Sequence, residues 1–188
     1  IKMFNHFQNT ITGWPGGKPG ADDSTRPERK SPKSKRVIIF SPHPDDDVVS
    51  MGGTFDRLVS QGHEVHIAYQ VKGNIAVSDH DALKFIEVSK ELFKNESKVP
   101  TTQLIKELKN NKPDKIDSQA VRNLKGFIRK REAIAATRYI GILDSNTHFL
   151  NLPFYDTGRI KKNPPTKKDV LITASSVSYT HLTLPTSV

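Results

Sequence analysis

The sequence contains no cysteine, which excludes a disulfide framework and every thiolate metal site. It has a single tryptophan, and aromatic residues make up only 7% of the chain. No apolar run approaches the ~18 residues that a membrane-spanning helix needs. The first residues lack the apolar core of a secretory signal. Hydrophobic residues amount to 35% and the mean hydropathy is −0.54, on the polar side for a folded chain. These absences favour a cytoplasmic protein with no membrane span. A length of 188 residues allows one domain with a core, and the polar composition leaves part of it to linker or tail.

Charge of one sign is in excess. The 29 Lys and Arg against 20 Asp and Glu give a formal net charge of +9. A basic balance of this size invites a nucleic-acid partner. However, the cations are spread from Lys18 to Arg36 and again from Lys84 to Arg131, with no aromatic residues interleaved as a stacking platform. A solvated basic surface accounts for this pattern, and no nucleic-acid partner is expected.

Residues 1–35 include a long stretch from Thr10 onward that is rich in Gly, Pro, Ser and charge, a composition that cannot bury enough apolar surface to offset its ordering entropy. They read as a connector from an upstream domain. The domain proper is expected over 36–176. Val37–Phe40 is a short apolar run of the kind found in buried parallel strands. A helix is expected to about Gln61, capped by Asp47, with Val48, Val49, Phe55, Leu58 and Val59 as its apolar stripe and Gly62 as its stop. Glu64–Gln70 reads as the second strand of a βαβ unit. Helices are expected over Ala82–Phe93, Thr101–Lys109 and Gln119–Ile140, a third strand over His148–Leu152, and a fourth over Asp169–Thr173. This alternation predicts a layered α/β domain.

The strongest chemical signal is Ser41-Pro42-His43-Pro44-Asp45-Asp46-Asp47, between the first strand and its helix. It sets an imidazole and three carboxylates at the carboxyl end of a parallel strand, where open α/β sheets gather their ligands. Nitrogen and carboxylate oxygen are suitable donors for borderline and hard divalent ions.

The segment Pro42-His43-Pro44-Asp45-Asp46 resembles the signature of the PIG-L/LmbE-like zinc-dependent N-deacetylases. The resemblance continues through Met51-Gly52-Gly53-Thr54, Gly62-His63-Glu64-Val65 and Arg129-Lys130-Arg131-Glu132, covering roughly residues 36–173. Within that family, Trp14-Pro15-Gly16-Gly17, Gly73-Asn74-Ile75-Ala76-Val77 and Phe149 to Tyr155 resemble long bacterial proteins of glucosamine-6-phosphate deaminase type, in which such a domain follows a deaminase-like one. The resemblance implies a Rossmann-like three-layer α/β fold with a mostly parallel sheet, incomplete in this chain. It also implies Zn²⁺ held by His43 and Asp46, with Asp45 as general base and a third protein ligand beyond the matched region. The expected activity is hydrolysis of an N-acyl group, most plausibly acetyl, from a small amino-sugar substrate. A chain carrying only two of the ligands is expected to be inactive.

Other residues weigh less. Arg129 is a candidate for orienting substrate, against a plain surface ion pair with Glu132. Asn74 is a candidate for a sugar hydroxyl, against a turn role. His63, His66, His80 and His148 read as packed, loop or surface residues. Residues 177–188 include Val-Ser-Tyr-Thr-His-Leu-Thr-Leu-Pro-Thr, which resembles a translated sequencing adapter, so His181 carries no functional weight. Two rival readings are an accessory domain of an amino-sugar phosphate deaminase and a non-catalytic basic binding module.

Overall fold

The computed structural model describes residues 34–93, 101–111, 115–158 and 163–181, with side chains as far as 176. Nearly all of the expected connector, the residues after 181 and the side chain of His181 lie outside the described residues.

Three parallel strands form one sheet in the order β1 (Arg36–Ser41), β2 (Glu64–Tyr69), β3 (Thr147–Phe149). Helix α1 (Asp46–Ser60) joins β1 to β2. Between β2 and β3 run α2 (Asp79–Phe93), α3 (Thr101–Lys109) and α4 (Gln119–Tyr139), and α5 (Lys167–His181) follows. The architecture is the Rossmann-like α/β arrangement that the sequence suggested.

Side-chain alternation divides the sheet into two faces. Ile39 pairs with Ile67, and Tyr69 with Phe149; this face packs on Phe55 and Leu58 of α1 and Ala133 of α4. Tyr69 and Phe149 stack with ring centroids 5.0 Å apart. The other face carries Ile38, His66, Ala68 and His148 in register, and α5 packs across β1. Val77, Ala82, Ile86, Leu104, Leu108, Val121 and Ile128 form a second apolar cluster among α2, α3 and α4. Beside it, Lys125 Nζ bridges Asp79 at 2.6 Å and Asp117 at 2.7 Å, a buried cation made tolerable by two carboxylates.

Several expectations need correction. Asp169–Thr173 is not a strand but the first turns of α5. Thr166 and Asp169 form a reciprocal cap: Asp169 accepts from the Thr166 amide and hydroxyl, each at 2.7 Å, and the Asp169 amide donates back to Thr166 Oγ1 at 3.3 Å. That Thr-x-x-Asp pattern is a helix start, and it outweighs the β-branched composition after it. In α1, Val48 and Val49 are exposed, and the buried side chains are Asp47, Phe55 and Leu58. The backbone breaks helical geometry at Met51 (φ −147°, ψ 24°), so one period does not run the whole helix. His80 lies in the first turn of α2 rather than in a loop. The third strand sits slightly earlier than expected and is shorter. Gly62 does close α1, at φ 73°.

Candidate active site

The loop after β1 is pinned from below. Ser41 Oγ donates to the His43 carbonyl at 2.6 Å and accepts from the Asp47 amide at 3.1 Å. Tyr69, fully buried on β2, donates its hydroxyl to Asp47 Oδ2 at 2.7 Å. Burial, reinforced by that carboxylate, pushes the Tyr69 phenol well above its usual ionisation range. Asp47 is therefore a buried anchor joining β1, β2 and α1, and not the helix cap that the sequence suggested; Asp45 occupies the capping position and makes no side-chain cap bond.

Above this anchor, Asp46 folds back on His43. Its Oδ2 accepts from the His43 amide at 2.9 Å and lies 3.0 Å from His43 Nδ1. Both side chains are partly exposed. Asp45 turns the other way, its Oδ2 meeting Arg129 Nη2 of α4 at 2.9 Å, while Arg129 Nη1 donates to Glu132 at 2.7 Å. The expected Arg129–Glu132 pair thus exists, and the same guanidinium also grips Asp45. Among the described residues, Arg129 Nε is buried with no hydrogen-bond partner.

The loop after β2 supplies the facing wall. Gly73 has φ 69°, and a Cβ there would come within 2.7 Å of Pro44 Cδ, so this position needs glycine both for its backbone and for its closeness to the motif loop. Asn74 is buried and donates to the Asp156 carbonyl at 3.0 Å. That bond gives Asn74 a structural task in the turn, alongside its place in the cleft wall. Asp156 also binds Lys72 and Arg122, each at 3.3 Å, so Lys72 is tied into the base of the site.

Together His43, Asp45, Asp46, Asn74 and Arg129 line one cleft of about 410 Å³, which Val71, Gly73, Ile75, Ala76 and Tyr155 complete. All five residues singled out from the sequence share this cavity. Tyr155 was not singled out. Its ring lies 5.6 Å from that of His43, at the carboxyl side of β3, and its place after a strand end at the ligand-binding edge was the available signal.

The donor chemistry suits a divalent ion at His43 and Asp46, whose nitrogen and oxygen already face one another at hydrogen-bond distance. Among the described residues no group of three His, Cys, Asp or Glu gathers to hold a metal. Three other histidines, His63, His66 and His148, are engaged elsewhere. His66 stacks on His148 with Nδ1 to Nε2 at 3.1 Å and reaches Glu64 at 3.2 Å. Burial, with a smaller contribution from His66, holds the His148 imidazole below its ordinary pKa. His63 accepts from the Lys35 amide at 3.1 Å. Among the described residues no helix is long and apolar enough to cross a membrane.

Comparison with known proteins places the chain in a family. A glucosamine-6-phosphate deaminase-like protein of Bacteroides thetaiotaomicron is 51% identical over 179 residues, which are 92% of this chain but only 27% of that protein. The chain thus spans about a quarter of its relative's length. No solved structure matches. Residues 38–180 match the PIG-L family, described as GlcNAc-PI de-N-acetylase, and the chain belongs to that family.

Proposed function

We propose that this domain hydrolyses the N-acyl group of an amino sugar, with His43 and Asp46 as two protein ligands of a zinc ion and Asp45 as general base. The observation that carries this reading is the divergence of two adjacent carboxylates in one cleft. Asp46 faces the imidazole, whereas Asp45 faces Arg129. Zinc at such a site supplies Lewis-acid chemistry that activates water and polarises an amide carbonyl.

The remaining steps belong to the chain's own residues. Arg129 engages Asp45 Oδ2, which leaves Oδ1 to take the proton from the attacking water. As the water oxygen bonds to the carbonyl carbon and the C–N bond breaks, Asp45 returns that proton to the departing nitrogen. The products are a carboxylate and a free amine. Arg129 and Asn74 present donors to the sugar, and Gly73 keeps the facing loop against Pro44.

The domain is proposed to work within a longer protein that supplies the third ligand, as the share of the Bacteroides relative covered here suggests. The relative's name favours a second reading, in which the parent deaminates an amino-sugar phosphate and this domain is accessory. Assaying the zinc-supplied full-length protein for acetate and for ammonia separates the two. The first reading predicts acetate from an N-acetyl amino sugar, reduced about 10²–10⁴-fold in Asp45→Asn. Ammonia release with no acetate, or acetate indifferent to Asp45→Asn, overturns it.

A further inference from the structure

We propose that the acyl group removed at this site is longer than acetyl, and that its chain lies in a second, apolar chamber on the far side of Tyr155. The inference rests on the hydrolase reading above and names its substrate more closely.

That chamber, of about 350 Å³, shares His43, Val71 and Tyr155 with the first cleft. These three side chains stand between the two spaces, so His43 borders both of them. The two spaces differ in chemistry. Carboxylates, a guanidinium and a buried amide line the first. Leu152, Pro153, Phe154 and Pro165 give the second its character, with Gln70 and Asn163 as its polar members.

The walls are built, not incidental. Pairing with β2 continues past the end of β3, as Leu150 donates to the Tyr69 carbonyl at 2.9 Å and Leu152 to that of Gln70 at 2.8 Å. Asn151 between them takes the left-handed φ of 52°, an uncommon setting outside glycine. The 3₁₀ turn Pro153–Tyr155 follows at once, and Phe154 meets Tyr155 edge to face at 4.6 Å. A specific backbone turn therefore carries two aromatic rings to the side of His43.

An amide has two substituents, and this site has two chambers. With the carbonyl carbon beside His43 and Asp46, the sugar on nitrogen takes the polar cleft, where hydroxyls meet Asn74 and Arg129. The carbon-bound acyl chain takes the apolar one. A methyl group fills roughly the volume of one water, about 30 Å³, a small part of this chamber. A chain of several methylenes suits it.

The test is calorimetric binding of N-acetylglucosamine and N-hexanoylglucosamine to the metal-free chain, with hexyl N-acetylglucosaminide as control. Each fully buried methylene tightens binding by about fourfold, so four partly buried ones should give at least about tenfold for the hexanoyl sugar. The control, whose hexyl group sits at the anomeric position, should gain nothing. Leu152→Trp, which occludes the chamber, should bring hexanoyl and acetyl affinities together while acetyl binding stays. Phe154→Ala, which removes one wall, should narrow the gap if the tryptophan variant fails to fold. Equal affinity for the two amides overturns the acyl chamber and leaves the hydrolase reading standing. A hexanoyl preference untouched by both variants, or an equal gain for the hexyl glycoside, also overturns it. Failure of all three ligands to bind overturns the acyl chamber, while acetate release by the zinc-supplied full-length protein decides the hydrolase reading separately.

Discussion

Tyr69→Phe removes one oxygen from the floor of the site and nothing else. The phenylalanine ring keeps its stack on Phe149 and its place in the core, so no apolar burial is lost. The deleted group is the donor to Asp47 Oδ2 at 2.7 Å, between two side chains almost wholly withdrawn from solvent. Hydrogen bonds to charged acceptors contribute about 1.5–3 kcal/mol, and a buried acceptor left unpaired adds its own desolvation cost. Ser41 remains near the carboxylate, with its Oγ 3.3 Å from Oδ1, and limits the loss. The expected destabilisation is about 2 kcal/mol. Urea unfolding followed by circular dichroism, at a slope of roughly 2 kcal/mol per molar, should show the midpoint falling by about 1 M.

The alkaline limb gives a second readout of the same bond. The Tyr69 phenol is raised in the fold from its ordinary 10.0, so its contribution is present in full below pH 10 and is lost as pH rises beyond it. Tyr69→Phe should flatten that alkaline loss. A midpoint shift below about 0.25 M, with the alkaline slope unchanged, refutes the view that Asp47 is an anchored buried acid.

Other outcomes follow from the same contacts. His148 has a folded pKa depressed below 6.5, so the unfolded chain takes up its proton first and stability falls as pH drops from 6.5 through the folded value. Urea midpoints measured down that range should fall, and His148→Phe should lessen the fall. Arg129→Lys keeps the charge but loses the fork that spans Asp45 and Glu132. Steady-state assay of the full-length protein should show kcat down by about 10–100-fold, the scale expected when a reacting group is misplaced by about 1 Å. An unchanged kcat would remove Arg129 from the positioning of Asp45.

Much of this arrangement was legible in the sequence because its signals are local. Val37–Phe40, Gly62 and the alternation that follows mark the βαβ unit, and the motif's position at a strand end placed His43, Asp45 and Asp46 in the cleft. The missing parts depend on contacts across the fold. Nothing near Asp47 in sequence reveals that Tyr69 lies beneath it, since their proximity arises only when β2 pairs beside β1. An acid at a helix start reads as a cap, but the α1 face carrying Asp47 turns inward onto Tyr69. The α5 region failed differently: Val170, Leu171 and Ile172 suggest a strand, and the Thr166–Asp169 cap decides for helix. Tyr155 depended on a strand boundary and on the turn after Asn151, neither of which periodicity fixes.

The central claim is that neighbouring acids divide the work, Asp46 joining His43 on a metal and Asp45 standing apart to move a proton. Zinc titration of this chain by calorimetry tests it most directly. The account predicts weak uptake by wild type, as two protein ligands allow, lost in His43→Ala and in Asp46→Asn but retained in Asp45→Asn. Uptake that survives the first two substitutions, or that disappears equally in all three, contradicts it.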